Sequence, residues 1–242
     1  YLQEKKRIGG IFMAIETLSV GNNSNVIYVA PSNSTNKEIA DYVCDGTNDS
    51  NQINAAIQAA GTGKEIVLLD GKFNINEKLN VDKEGLTIRG IKDKTVVEQV
   101  SLKTSGNDTT SAIIFDITAG FVTLKDMMVV DVDVDLPQYV IRARKGVESC
   151  VFEGLFFILK ATKTDLGYIS LETEGARIIN CRVYNYGTVN QKKTISINGN
   201  ETIIWGLWNT GNDRTRVNYE GNFTHYEFGN NKYDIYVNGI KQ

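Results

Sequence analysis

Residues Ala112–Val130 read AIIFDITAGFVTLKDMMVV: an apolar strand, a glycine, then a second strand interrupted by an aspartate. The same order returns in YVIRARKGVESCVFEGLFFI (Tyr139–Ile158), YISLETEGARIINCRVYNY (Tyr168–Tyr186) and TISINGNETIIWGLWNT (Thr194–Thr210). The first-strand glycine falls at Gly120, Gly146, Gly175 and Gly199, and the second-strand break at Asp126, Gly154, Cys181 and Gly206, in steps of 24 to 29 residues. A repeat of that length is too short to bury its own apolar face and must stack on its neighbours, which is the logic of a solenoid. A β-sandwich with similar strands fits less well, because sandwich strands join through short hairpins.

Period-two alternation assigns faces within the repeat. Leu124, Phe152, Ile179 and Ile204 stand two residues before the break, and Met128, Phe156, Val183 and Trp208 two residues after it. Simple alternation aims both sets inward. Equivalent residues of successive coils lie about 4.8 Å apart in a parallel sheet, so both columns are expected to form apolar stacks. The expected fold is therefore all-β: a single-stranded right-handed parallel β-helix.

Upstream, DYVCDGTNDSNQINAAIQAAG (Asp41–Gly61) carries Ile53, Ala56, Ile57 and Ala60 on one helical stripe, with Asp49 or Ser50 placed to cap its start and Gly61 its end. A short amphipathic helix there would cover the first coil, whose bare strand edge would otherwise invite aggregation. IVLLDGKFNI (Ile66–Ile75) and GLTIRG (Gly85–Gly90) then read as the first coils.

These residues carry a resemblance. Asp45, Gly46 and Asp49, the helix with Ile53, Ala55, Ala56 and Ile57, then Val67, Leu68, Leu69, Gly71 and Phe73, then Leu86, Ile88 and Gly90, resemble the N-terminal signature of the pectate-lyase-like superfamily of right-handed β-helices. The likeness covers residues 41–90, and the coil register extends it to about residue 239. The longer form, with IYVAPSNST upstream of ADYVCDGT, is similar in particular to β-helical proteins of phage and prophage tails, which contact cell-surface glycans and are usually trimers. The resemblance implies an appendage or receptor-binding protein that meets polysaccharide, assembles as a homotrimer, joins other virion or tail proteins, and is found in the virion or outside the cell after lysis. The alternative within the same fold is a polysaccharide lyase or glycoside hydrolase acting on an acidic glycan.

Composition agrees with one elongated domain. The 242 residues are 41% hydrophobic, hold two prolines and have a net charge of −3 from interspersed residues. That pattern gives no reason to expect nucleic acid or membrane insertion, and no run reaches the length of a membrane-spanning helix. Residues 1–35 are expected to form an N-terminal extension with a first strand, and residues 36–242 the β-helix. Gly9-Gly10 shortly before Met13 would be spelled by a ribosome-binding site, so residues 1–12 read either as translated leader or as ordinary extension. They lack the apolar core of a signal peptide. Cys44, Cys150 and Cys181 cannot all pair and suit a reduced compartment.

Chemistry is less legible. The superfamily's lyases hold calcium with carboxylates and abstract a proton with Arg or Lys; its hydrolases use grouped aspartates. In VVDVDVD, inward Val130, Val132 and Val134 would leave Asp131, Asp133 and Asp135 outward in a row. These three and Arg142 are the candidate catalytic residues, and Asp131 with Asp133 the candidate ligands for calcium. Asp116, Arg142 and Glu172 would form an adjacent acid–base–acid ladder, with Arg144 and Glu174 beside it; such groups on a solenoid are otherwise ordinary cross-strand pairs. Aromatics crowd the C-terminal fifth. Trp205, Tyr219 and Tyr226 are the candidate glycan contacts, since sugar rings stack on such side chains. His225, the only histidine, has no neighbouring acid pair.

Overall fold

The structure, a computed structural model, describes residues 25–100, 112–131, 138–160, 167–185, 194–210, 215–220, 223–228 and 233–242. The translated-leader question at residues 1–12 therefore lies outside the described residues, as do Asp133 and Asp135.

The chain winds as a right-handed parallel β-helix with three faces. The first sheet stacks Val26–Ala30, Glu65–Leu68, Thr87–Arg89, Thr123–Lys125, Val151–Glu153, Arg177–Ile179, the start of Thr202–Asn209, and Phe223–Phe228. The second sheet stacks Gly71–Ile75, Thr95–Gln99, Met128–Val130, Phe156–Leu159, Arg182–Asn185 and the end of Thr202–Asn209. The third holds seven parallel strands: Leu79–Val81, Ala112–Ile117, Gln138–Glu148, Gly167–Glu174, Thr194–Asn198, Thr215–Glu220 and Tyr233–Val237. Among the described strands, only Ile240–Lys241 pairs antiparallel, closing on Tyr233–Val237.

Two tight corners set the register. Between the third and first sheets, one left-handed residue per coil turns the chain: Gly85, Phe121, Ser149, Gly175 and Glu201, at φ 69, 59, 52, 68 and 57°. Between the first and second sheets the corner residues are Asp126, Gly154, Asn180 and Gly206, at φ 55, 60, 50 and 70°. Seven of the nine corner residues donate their N–H to a carbonyl of the next coil. The Phe121 N–H donates to Glu148 O at 2.7 Å and the Ser149 N–H to Glu174 O at 2.8 Å; at the other corner the Asn180 N–H donates to Trp205 O at 2.8 Å.

The corners correct the sequence-based register. Of the four first-strand glycines only Gly175 occupies a corner, and the third break is Asn180, not Cys181, since Phe152 aligns with Ile178 and Ile178 with Ile204. Leu124, Phe152, Ile178 and Ile204 are fully buried, while Ile179 is outward and half-buried. Past the corner, alternation changes phase, because one left-handed residue turns the chain without advancing the pleat as a strand residue would. Met127, Leu155, Cys181 and Leu207 point inward, followed by Val129, Phe157, Val183 and Asn209. Met128 and Phe156 are consequently half-buried on the outside, and Trp208, expected in the core, is 47% exposed.

The N-terminal end is covered as anticipated by one helix, Asp49–Ala59, whose Ile53, Ala56 and Ile57, with Ala60 just beyond, are buried. Its caps differ from expectation. Asn48 holds the N-cap position and Ala60 the C-cap. Asp49 and Ser50 instead tie the helix to the first coil: Asp49 accepts N–H bonds from Gly46 and Asn74, both at 2.8 Å, and Ser50 Oγ accepts from the N–H groups of Asn76 and Glu77. One turn on, Asn54 accepts the Asn80 N–H and donates to Lys78 O. The polar stripe thereby satisfies the open edge of the first coil while the apolar stripe closes its core.

The same end accounts for the signature motif. Asp70 accepts hydrogen bonds from Asn36, Thr35 and Ser34, and the Asn36 and Thr35 bonds lead in holding its carboxyl well below the ordinary value. Gly71, at φ +118°, has Asn33 Oδ1 only 2.6 Å from where a Cβ would stand. These signature residues are structural.

Candidate functional site

Of the expected carboxylate row only Asp131 lies among the described residues, and it does not stand outward. Asp131 is 2% exposed, and its Oδ1 accepts the Lys160 N–H. The alternation argument failed here because Val130 and Asp131 are both buried where the strand Met128–Val130 ends, so the strand's face assignment does not carry on to Asp131. A carboxylate so occupied does not suit an open calcium site, which wants several free oxygens. Among the described residues no group of three His, Cys, Asp or Glu side chains is placed to hold a metal ion. Replacing Asp131 with alanine is accordingly expected to lower stability by about 1–3 kcal/mol, by leaving the Lys160 N–H without its acceptor. Urea unfolding checks this; an unchanged midpoint would restore the surface assignment.

The acid–base ladder is rearranged too. On the third sheet Arg142 aligns with Asp116 below and Ser170 above, not with Glu172. Asp116 nonetheless takes Arg144 as its partner, in a bidentate pair with Nε–Oδ1 at 2.7 Å and Nη2–Oδ2 at 2.9 Å, and Lys78 Nζ adds a third contact at 3.0 Å. Arg142 lies over the Tyr139 ring, 5.6 Å from its centroid, and reaches Glu172 at 4.0 Å. Burial disfavours ionised Asp116, but the hydrogen bonds and charges of Arg144 and Lys78 outweigh it and lower its pKa below the ordinary value.

A bulge interrupts the pairing just beyond Arg142. Ala143 aligns with Leu171 and Val147 with Thr173, so Arg144, Lys145 and Gly146 oppose the single residue Glu172. Gly146 adopts φ +86°, as the looped-out backbone requires. Beside the bulge lies a groove of about 760 Å³, lined by Lys145, Glu148, Glu172, Thr173, Glu174, Asn198 and Asn200 among others. Its floor is tight: a Cβ on Gly199 would stand 2.0 Å from Thr173 O. Glu148 and Glu174 occupy aligned positions on adjacent strands. Sequence reasoning missed this groove, although the extra Lys145-Gly146 in the second repeat is a legible signal of a bulge.

The aromatic candidates separate. Trp205, 57% exposed, stands outward on the first sheet, aligned with Ile179 below and Glu227 above. Tyr226 continues the inward column past Ile204 and is 43% exposed; no described strand lies beyond it on this sheet. Its ring sits 6.0 Å from that of Phe228. Tyr219 lies in Thr215–Glu220, at the register position of the buried Ile197. The tryptophan neighbouring Trp205 across the Gly206 corner is Trp208, outward on the second sheet and aligned with exposed Arg182. The three cysteines are unpaired and buried; desolvation pushes Cys150 up to about 11 and Cys44 and Cys181 up to about 12, so none is a thiolate nucleophile at neutral pH.

No protein-family profile and no curated protein sequence matches the chain. Among solved structures, a pectin methylesterase in complex with a hexasaccharide superposes with a TM-score of 0.47 at 16% identity, over 81% of this chain and 66% of that one. The chain thus spans slightly under two thirds of that protein's length. The β-helix assignment rests on the strand pairing itself.

Proposed function

We propose that this protein is a glycan-binding β-helix of the appendage or receptor-binding kind, holding polysaccharide on its outer surface without turnover. The observation that supports it is the pair Trp205 and Trp208, both outward and about half exposed at one corner of a solenoid whose core takes in Phe73, Phe115, Phe152 and Phe157. Tryptophan indoles held in water on a rigid sheet are expensive to leave uncovered and well shaped for the apolar face of a sugar ring. Tail attachment follows from the signature resemblance. A homotrimer belongs to the same proposal and would multiply weak glycan contacts by avidity.

The second proposal is hydrolysis at the groove. It is supported by the aligned Glu148 and Glu174, whose strands stand about 4.8 Å apart, near the carboxylate separation of retaining glycosidases. With three glutamates against one lysine, the groove suits a neutral or cationic glycan better than the acidic one expected from the resemblance.

The test is a glycan array followed by calorimetry on the strongest ligand. Trp205→Ala and Trp208→Ala are each expected to weaken binding up to about tenfold, with stability within about 0.5 kcal/mol of wild type. Unchanged affinity in the double variant would remove the proposal. Release of oligosaccharide by wild-type protein would put hydrolysis in its place.

A further inference from the structure

Around the Gly206 corner, charge is distributed unevenly. On the second-sheet side, the outward column runs Val96, Met128, Phe156, Arg182, Trp208. Arg182 is exposed, and among the described residues its guanidinium has no carboxylate partner. Phe156 lies below it and Trp208 above, so no acid stands in its column on either adjacent strand. On the first-sheet side, the column through Trp205 runs Glu153, Ile179, Trp205, Glu227. Arg177 is exposed there as well, but it shares its face with these two exposed glutamates. The two tryptophans are three residues apart on one strand, which bends at Gly206, where φ is +70° and a Cβ would stand 2.7 Å from Asn180 Oδ1.

We infer that the Arg182–Trp208 side of this corner is a subsite for a carboxylated sugar, a uronate unit whose ring stacks on Trp208 and whose carboxylate pairs with Arg182. This rests on the proposal of glycan binding above and adds the charge of the ligand. A guanidinium matches a carboxylate in two parallel hydrogen bonds, and its neighbours on both sides are aromatic, so the pair forms beside apolar surface where it is less screened. Trp205, with Glu227 on the adjacent strand, takes the neighbouring sugar through its ring alone. The binding surface therefore reads an uncharged unit on one face and an anionic unit on the other. The acidic groove on the third sheet has the opposite preference and is a separate surface.

The experiment compares alginate with the same polymer after its carboxyls are reduced to alcohols, by calorimetry at about 50 and 300 mM salt, where screening of exposed charges differs. Wild-type protein is expected to bind alginate at least tenfold more tightly than the reduced polymer, with the difference shrinking at the higher salt. Arg182→Gln removes about tenfold of the affinity for alginate and leaves affinity for the reduced polymer unchanged. Arg177→Gln changes either by no more than about twofold, as expected for a rim charge shared with glutamates. Equal binding of the two polymers would overturn the uronate subsite and leave glycan binding standing. Binding of neither polymer would overturn the uronate subsite, and a glycan array without hits would then overturn glycan binding separately. Dextran sulfate binding more tightly than alginate, with the same dependence on Arg182, would also overturn it, because the surface would then read any polyanion.

Discussion

Phe157→Ala is expected to cost about 3–5 kcal/mol of unfolding free energy, whereas Trp208→Ala costs less than about 1 kcal/mol. Simple alternation along each second strand predicts the reverse, because it places Phe156 and Trp208 in the core. In the structure Phe157 is fully buried in the column Val97, Val129, Phe157, Val183, with neighbours on the strands above and below that cannot collapse into the space a truncation leaves. Trp208 is 47% exposed, at the register position of Arg182 on the outer surface. Urea unfolding of the two variants side by side measures the difference. A Trp208→Ala loss equal to that of Phe157→Ala would show that the second corner does not shift the phase of the pleat.

The second large effect is expected at Asp116. Removing its carboxylate by Asp116→Ala takes the shared acceptor from Arg144 and Lys78, whose side chains are 32% and 29% exposed, and is expected to cost about 1–3 kcal/mol. Asp116 is 2% exposed, so water cannot easily take the place of the carboxylate. The pair also imposes a pH dependence. Because the folded-state pKa of Asp116 lies below its ordinary value, its contribution is present above the ordinary carboxylate range and is lost as pH falls through the depressed folded value. Wild-type stability should therefore fall more steeply than that of Asp116→Asn as pH is taken below about 4. Parallel acid-unfolding slopes for the two proteins would show that the pair adds nothing to stability.

How much was legible depends on where each residue sits relative to a corner. Before the second corner, Leu124, Phe152 and Ile204 follow plain alternation and are buried as read from the sequence. After it, Met128, Phe156 and Trp208 do not. The helix was legible because its stripe of Ile53, Ala56, Ile57 and Ala60 is a local period, while its caps were not, because Asp49 and Ser50 bond to residues 25 to 27 positions away. The candidate catalytic residues fared similarly. Asp131 looked free because nothing local satisfies it; its partner, the Lys160 N–H, is 29 residues on.

The sequence by itself determined that short strands recur at a spacing only stacking can satisfy, that a helix closes one end, and that the core is aliphatic and aromatic. Those follow from period, composition and local propensity. Only the tertiary structure decided which residue turns each corner. Glycine is the usual marker of a left-handed backbone, yet Phe121, Ser149, Asn180 and Glu201 adopt it here while Gly120 stands just before a corner. The reason is that a left-handed residue costs about 1–2 kcal/mol where a side chain is present, and each corner N–H bonded to a carbonyl of the next coil helps to offset that cost. Such a bond exists only once the coils have stacked, so the side of the wall on which Trp208, Phe157 and Asp131 fall was set by neighbours more than twenty residues distant.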